Sequence, residues 1–194
     1  MARCYSDAMA RMKPLPQIWI VSDARNDAAL ERALVRLPRG SGLIFRHYHC
    51  DEPERRQRFE RLRGLAHAKG HLIALAGDAR MARRWGADAA YGSADTLAPG
   101  AAIARLVTAH SLREMRGAAR ADAVLLSPVF ATRSHPGGAT LGPLRFRLLA
   151  ARSRVPVIAL GGMNRRAARR LKWPRWAAID AFCGEATRRK SLDS

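Results

Sequence analysis

The apolar and polar positions of the chain change period repeatedly, and each change marks a new element. Residues 18–23 read Ile-Trp-Ile-Val-Ser-Asp, a short apolar run closed by polar residues, as expected of a strand buried on both faces. Over 28–37, Leu30, Ala33, Leu34 and Leu37 recur at three- and four-residue spacings. That is the stripe of an amphipathic helix, which Pro38 and Gly40 stop. The alternation continues with a strand over 42–48 and a charged helix over 52–68 that turns Phe59, Leu62 and Leu65 inward and ends at Gly70. A strand over 71–76, a short helix over 79–85 and a brief strand over 88–91 between Gly86 and Gly92 follow. A weaker strand at 106–108 leads into a helix over 112–119, and a clear strand over 123–129 into a helix over 141–151. The last unit is a strand over 157–160 after Pro156, a helix capped by Asn164 running to about 172, and an apolar run over 177–182.

Eight strands separated by helices or turns imply a parallel sheet, because each return to the same edge direction needs a crossover. Eight such units in one domain predict an α/β fold, a single-domain (β/α)8 TIM barrel, with an open doubly wound sheet as the alternative. The 194 residues suit one domain and fall just under the usual size of this barrel. No linker interrupts the pattern, so the expected organisation is an N-terminal extension over 1–16, the barrel over 17–183 and a polar tail over 184–194.

Charge changes this picture less than its size suggests. A formal net charge of +19 points first to a polyanion, since a dense basic surface releases the counterions of phosphate backbones. Yet 31 of the 35 basic residues are Arg, and they are scattered from Arg3 to Arg189 at exposed positions of helical patterns. Solvated helix faces are the expectation, and a nucleic-acid partner ranks last. Cys4, Cys50 and Cys183 are odd in number and without a C-x-x-C pair, so reduced thiols are expected. No apolar run approaches the ~18 residues of a spanning helix, which argues against a membrane and for a cytoplasmic location. The oligomeric state is open, a homo-oligomer included.

Two segments carry the candidate chemistry. The strand at 157–160 ends in Gly161-Gly162-Met163-Asn164, paired glycines directly before a capped helix. Residues without side chains let backbone N–H groups approach an anion, and barrels commonly bind phosphate after their seventh and eighth strands. A plain tight turn is the bland alternative. The strand over 123–129 opens into Ser127-Pro128-Val129-Phe130-Ala131-Thr132-Arg133-Ser134-His135-Pro136-Gly137-Gly138, with Leu141-Gly142 beyond. Such a loop offers hydroxyls, a guanidinium and an imidazole, and suits a lid over a charged ligand as well as it suits a connection.

Taken together, these segments resemble the thiamine phosphate synthase and TenI family. Residues 127–136 follow its "G-P-V-F-x-T-x-S/T-K-P" loop, an "L-G" comes next, and 156–163 follow "P-V-V/I-A-I/L-G-G-I/M". The likeness extends weakly from Ile18 to about Phe182 and implies the same small barrel. It further implies a synthase joining hydroxymethylpyrimidine diphosphate to thiazole phosphate with Mg2+, or a TenI-type relative that tautomerises the thiazole phosphate or only binds it. On this resemblance Thr132 and Ser134 contact diphosphate or thiazole phosphate, Arg133 adds charge beside them, and Gly161 with Gly162 holds the thiazole phosphate through N–H groups.

The remaining family motifs are altered. "Q-x-R-x-K" falls on 44–48 and leaves only Arg46, the loop lysine becomes His135, and "S-x-H" becomes Thr108-Ala109-His110. "N-D-R" falls near Asp78, and "H-L-G-Q-E-D" on 91–96 with Asp95. The implied catalytic set is therefore Arg46, Thr132, Ser134 and His135 around the departing diphosphate, with Thr108, His110 and Arg133 among the phosphate contacts. Asp78 and Asp95 are the implied Mg2+ ligands, hard oxygens whose shell the substrate phosphates complete; helix capping is their ordinary alternative.

Overall fold

A computed structural model describes residues 14–97, 102–133 and 137–182. Eight parallel strands close into a barrel in chain order: β1 (Ile18–Val21), β2 (Gly42–Phe45), β3 (Leu72–Ala76), β4 (Ala89–Gly92), β5 (Ala104–Ala109), β6 (Ala123–Leu126), β7 (Val157–Ala159) and β8 (Trp176–Ala178). The seam sets Ile18 opposite Trp176 and Ile20 opposite Ala178. The open doubly wound sheet is thereby excluded. Between the strands lie a 3-10 helix (Ala24–Ala29) and the helices α1 (Leu30–Arg36), α2 (Glu52–Ala68), α3 (Ala79–Arg84), α4 (Ala94–Leu97), α5 (Leu112–Gly117), α6 (Gly142–Ala150) and α7 (Arg165–Leu171).

Strand residues sort alternately into two apolar clusters, as the period of two demands. One holds Ile20, Leu43, Phe45, Ile73 and Leu75 together with helix residues Leu30, Leu34, Phe59 and Phe146, and is the layer between sheet and helices. The other holds Trp19, Val21, Ile44, Ala74, Ala76, Tyr91, Leu125 and Ile158, and fills the barrel itself. Most of the interior residues on β3, β4, β6 and β8 are alanines, so much of the filling falls to the fully buried Trp19 indole. A Cβ at Gly42, its neighbour on β2, would overlap that ring, which is why a glycine stands in the strand. The Trp19 Nε1–H donates to the Pro16 carbonyl at 3.0 Å.

Several element bounds differ from the pattern for local reasons. The first helix begins earlier, as a 3-10 turn, because Asp23 caps it and Asn26 returns a side-chain bond to the Asp23 N–H at 2.8 Å. The strands expected over 42–48 and 123–129 stop at Phe45 and Leu126, where the chain turns outward at the barrel mouth. β5 is longer than 106–108 because Arg105, polar by type, still pairs and donates its N–H to Asp122 at 2.7 Å. α4, one turn after β4, has no apolar periodicity to announce it; Ser93 Oγ accepts from Thr96 N–H at 3.2 Å. No helix among the described residues is long and apolar enough to cross a membrane. Cys4 and Cys183 lie outside the described residues, as do most of the N-terminal extension and all of the tail.

Candidate functional site

The strands from β2 to β7 deliver residues at their ends, or the first residues of the following loops, to the C-terminal mouth. Arg46 follows β2, Gly77 follows β3, Tyr91 and Thr108 lie near the ends of β4 and β5, Ser127 follows β6, and Leu160 with Gly161 follows β7. All of them line one cavity of about 710 Å3, together with His110 and Thr132. Thr132, Leu160, Gly161 and Ile179 also border a second cavity of about 350 Å3, which Arg133, Gly162 and Asn164 complete. Arg46, Thr108, His110, Thr132, Arg133, Gly161 and Gly162 thus converge on two adjoining spaces. Ser134 and His135 lie outside the described residues.

The glycine pair is shaped by what packs against it. Gly161 and Gly162 have φ of +91 and +61. A Cβ on Gly161 would lie 2.7 Å from Pro128 Cα, and one on Gly162 would overlap the Ala131 carbonyl oxygen. The strand-like pairing continues beyond β6 and β7, with Val129 N–H donating to Leu160 O at 2.9 Å and Phe130 N–H to Gly161 O at 3.1 Å. The two segments with family-like motifs are therefore stitched together. Asn164 caps α7 by accepting from Ala167 N–H at 2.8 Å. The Asp180 carboxylate also borders the small cavity and opposes an anion there, 3.7 Å from Arg25 Nη1.

On the opposite side of the mouth, Arg46 is held rigidly. Its Nε donates to Ser22 O at 3.0 Å, its Nη2 to Asp23 Oδ2 at 3.0 Å, and its backbone N–H to Ser22 Oγ at 2.8 Å. Tyr91, the first residue of the altered 91–96 segment, is buried there and hydrogen-bonds Thr108. Burial pushes its phenol up against the opposing effects of Arg46 and Thr108, so it remains a neutral donor. His110 Nδ1 sits 3.0 Å from Ser127 O, an acceptor only, so Nδ1 carries a proton and donates it to that carbonyl.

The two carboxylates put forward for Mg2+ sit differently. Asp78 is exposed and caps α3 by accepting from Met81 N–H at 2.7 Å, and Asp95 is exposed in the first turn of α4. Neither lines either cavity, and the wall of the larger one carries no carboxylate among the described residues. A hard cation selects anionic oxygens. As placed, these residues do not fit a Mg2+ ion in the cavity, and the capping alternative describes Asp78.

Sequence reasoning missed a polar network behind Arg46. Ser22 Oγ lies 2.8 Å from His47 Nδ1, His47 Nε2 lies 2.8 Å from Asp27 Oδ1, and Arg58 Nε donates to the same oxygen at 2.8 Å. Arg58 Nη2 also reaches Glu31 Oε2 at 3.0 Å. The residues come from the end of β1, the 3-10 helix, α1, the β2–α2 loop and α2, so no local spacing announces them. For Asp27 burial raises the carboxyl, but hydrogen bonds from His47 and Arg58 outweigh it, and for Glu31 the Arg58 bond leads; both lie below the usual carboxylate range. A depressed folded pKa stabilises the native state above the unfolded value, about 4, and that contribution is lost as pH falls through the folded value. The unfolding midpoint is therefore expected to drop below about pH 4, and Arg58→Met should flatten the acid limb. An unchanged limb in Arg58→Met, followed by circular dichroism, would remove this network from the acid response.

The comparisons with known proteins agree with this architecture. The sequence model of the family described as thiamine monophosphate synthase matches residues 18–179. No curated protein matches the chain. Among solved structures, thiamine phosphate pyrophosphorylase from Pyrococcus furiosus is similar with a TM-score of 0.73 and 20% identity, covering 89% of each chain. The thiamine phosphate pyrophosphorylase from Bacteroides thetaiotaomicron gives a TM-score of 0.54 and 17% identity over 84% of this chain and 82% of that one. An aldolase/citrate lyase family protein from Burkholderia cenocepacia gives 0.60 and 15% over 91% and 93%. At such identities these structures speak for the barrel alone, whereas the family match spans all eight strands. The chain belongs to the thiamine monophosphate synthase family.

Proposed function

We propose that the protein couples hydroxymethylpyrimidine diphosphate with thiazole phosphate, giving thiamine phosphate and diphosphate. The observation that carries this reading is the pair of adjoining cavities at the barrel mouth, one with Arg46 in its wall and one at the glycine pair, sharing Thr132 and Gly161. The larger volume, about 710 Å3, falls in the range that holds a small ligand, and the smaller suits a terminal phosphate.

In this reading the thiazole ring nitrogen attacks the pyrimidine methylene carbon while the carbon–oxygen bond to diphosphate breaks. The departing group takes the electron pair. Arg46, fixed by Ser22 and Asp23, faces the charge that grows on the diphosphate, and Thr108, His110 and Thr132 supply further donors. Ser134 and His135 join them on the strength of the family motif. Gly161, Gly162 and Arg133 hold the thiazole phosphate, and the shared wall sets the two fragments side by side.

The position of Asp78 and Asp95 outside the cavities favours a second reading, a TenI-like thiazole tautomerase or a phosphate-ligand binder, for which one substrate suffices. Arg46→Ala separates the two. It is expected to lower kcat/KM for coupling by about 10²–10³, as loss of one charge-stabilising donor does, and to leave the affinity for thiazole phosphate alone unchanged. Thiamine phosphate formation and calorimetric titration read these effects; equal coupling in the variant would remove Arg46 from the reaction.

A further inference from the structure

We propose that Asp27, His47 and His49 form a binding site for a divalent transition-metal ion of the Zn2+ class, beside the substrate cavity. One donor atom from each, a carboxylate oxygen and two imidazole nitrogens, lies within 4.8 Å of the others. Two elements separated in sequence supply them, the 3-10 helix before α1 and the loop after β2.

His47 is built as a ligand rather than left as a surface ring. It is 1% exposed and stacks on Phe45, with centroids 4.3 Å apart and planes 9° from parallel. Its φ of 39 is the left-handed backbone that side-chain-bearing residues seldom adopt, and the turn brings the His49 ring to 5.0 Å from it. Its Nδ1 faces the buried Ser22 hydroxyl at 2.8 Å, so Nε2 points alone at Asp27. Metal-binding imidazoles are oriented in this way, with the other ring nitrogen held by a fixed partner.

In the metal-free arrangement Ser22 Oγ accepts from Arg46 N–H, so its own proton goes to His47 Nδ1 and the ring proton sits on Nε2, shared with Asp27. When an ion binds Nε2, the ring proton moves to Nδ1 and is donated to Ser22 Oγ, whose own hydroxyl hydrogen rotates away from the ring. Arg58 contacts Asp27 on Oδ1, and no side-chain hydrogen bond to Oδ2 is seen among the described residues, which leaves that oxygen for an ion. His49 is exposed, and both histidines border a cavity of about 340 Å3 that also reaches Arg46 and Tyr48. That space leaves room for the water of an open, three-ligand site.

The donor set decides the metal. Two imidazoles and one carboxylate suit Zn2+ or Co2+, whereas Mg2+ asks for oxygens. The site is distinct from Asp78 and Asp95, which the family resemblance alone put forward for Mg2+, and it stands whether or not the coupling reaction does.

The test uses the untagged full chain, stripped with a chelator and titrated with Co2+, then with Zn2+. One equivalent of Co2+ is expected to produce a visible ligand-field absorption that Zn2+ abolishes and excess Mg2+ leaves intact. His49→Ala, an exposed change that should leave the melting temperature alone, is expected to weaken Zn2+ binding at least tenfold. His67→Ala, at the separate His67–Asp88 pair with its 2.9 Å contact, should bind like the unaltered chain. His47→Gln should abolish the Co2+ band. Absence of the band, its loss to Mg2+, equal Zn2+ affinity in His49→Ala, or a loss in His67→Ala as large as in His49→Ala would each overturn the proposal.

Discussion

Gly162→Ala should reduce coupling turnover by more than a hundredfold while the chain still folds. Its φ of +61 costs an L-residue little more than about 1 kcal/mol, but the added Cβ would overlap the Ala131 carbonyl oxygen and sit 2.8 Å from Phe130 Cβ. Backbone cannot yield as a flexible side-chain tip does. The β6–α6 loop must therefore shift, and with it Thr132 and Arg133, which line the same small cavity. Misplacing catalytic groups by about 1 Å costs on the order of 10² in rate. Circular dichroism should show an intact barrel, and titration with thiazole phosphate should show the affinity lost. Retained affinity in a folded variant would detach the glycine pair from ligand binding.

Trp19→Ala should cost about 3–5 kcal/mol of stability, the most of any single side chain in the barrel interior. The indole is fully buried in a cluster with five alanines, which cannot expand to fill its space, and its loss leaves the Pro16 carbonyl without its donor. For a chain of this length such a loss lowers Tm by roughly 6–20 °C. Gly42→Ala should destabilise for the opposite reason, overfilling the same layer. A Trp19→Ala protein melting within a degree or two of the unaltered chain would show that the interior is packed by something else.

The barrel was legible because its strands are buried on both faces and its helices on one, so runs and stripes alternate along most of the chain from Ile18 to Ala178. Elements failed to show where polarity ran against position: Arg105 inside β5, and α4 with too few residues for a period. At the site, Arg46, Thr108, His110, Thr132, Arg133 and the glycine pair were all named from sequence, and all border the two cavities. They follow strand ends, and strand ends in a barrel share one mouth. Asp78 and Asp95 follow strand ends too, but Asp78, one residue before α3, caps that helix through Met81 N–H, and Asp95 lies exposed in the first turn of α4. Tyr91 and the Ser22–His47–Asp27 relay escaped because contacts across 17 to 25 residues leave no spacing to read.

The central claim, that this barrel joins two thiamine precursors, is tested most directly by incubating the purified protein with hydroxymethylpyrimidine diphosphate and thiazole phosphate, with and without Mg2+, and measuring thiamine phosphate and diphosphate. Equimolar formation of both products, abolished in Gly162→Ala and much reduced in Arg46→Ala, is the predicted result. No thiamine phosphate under either condition, with thiazole phosphate still bound or isomerised, would contradict the coupling reaction and leave the tautomerase or binder reading in its place.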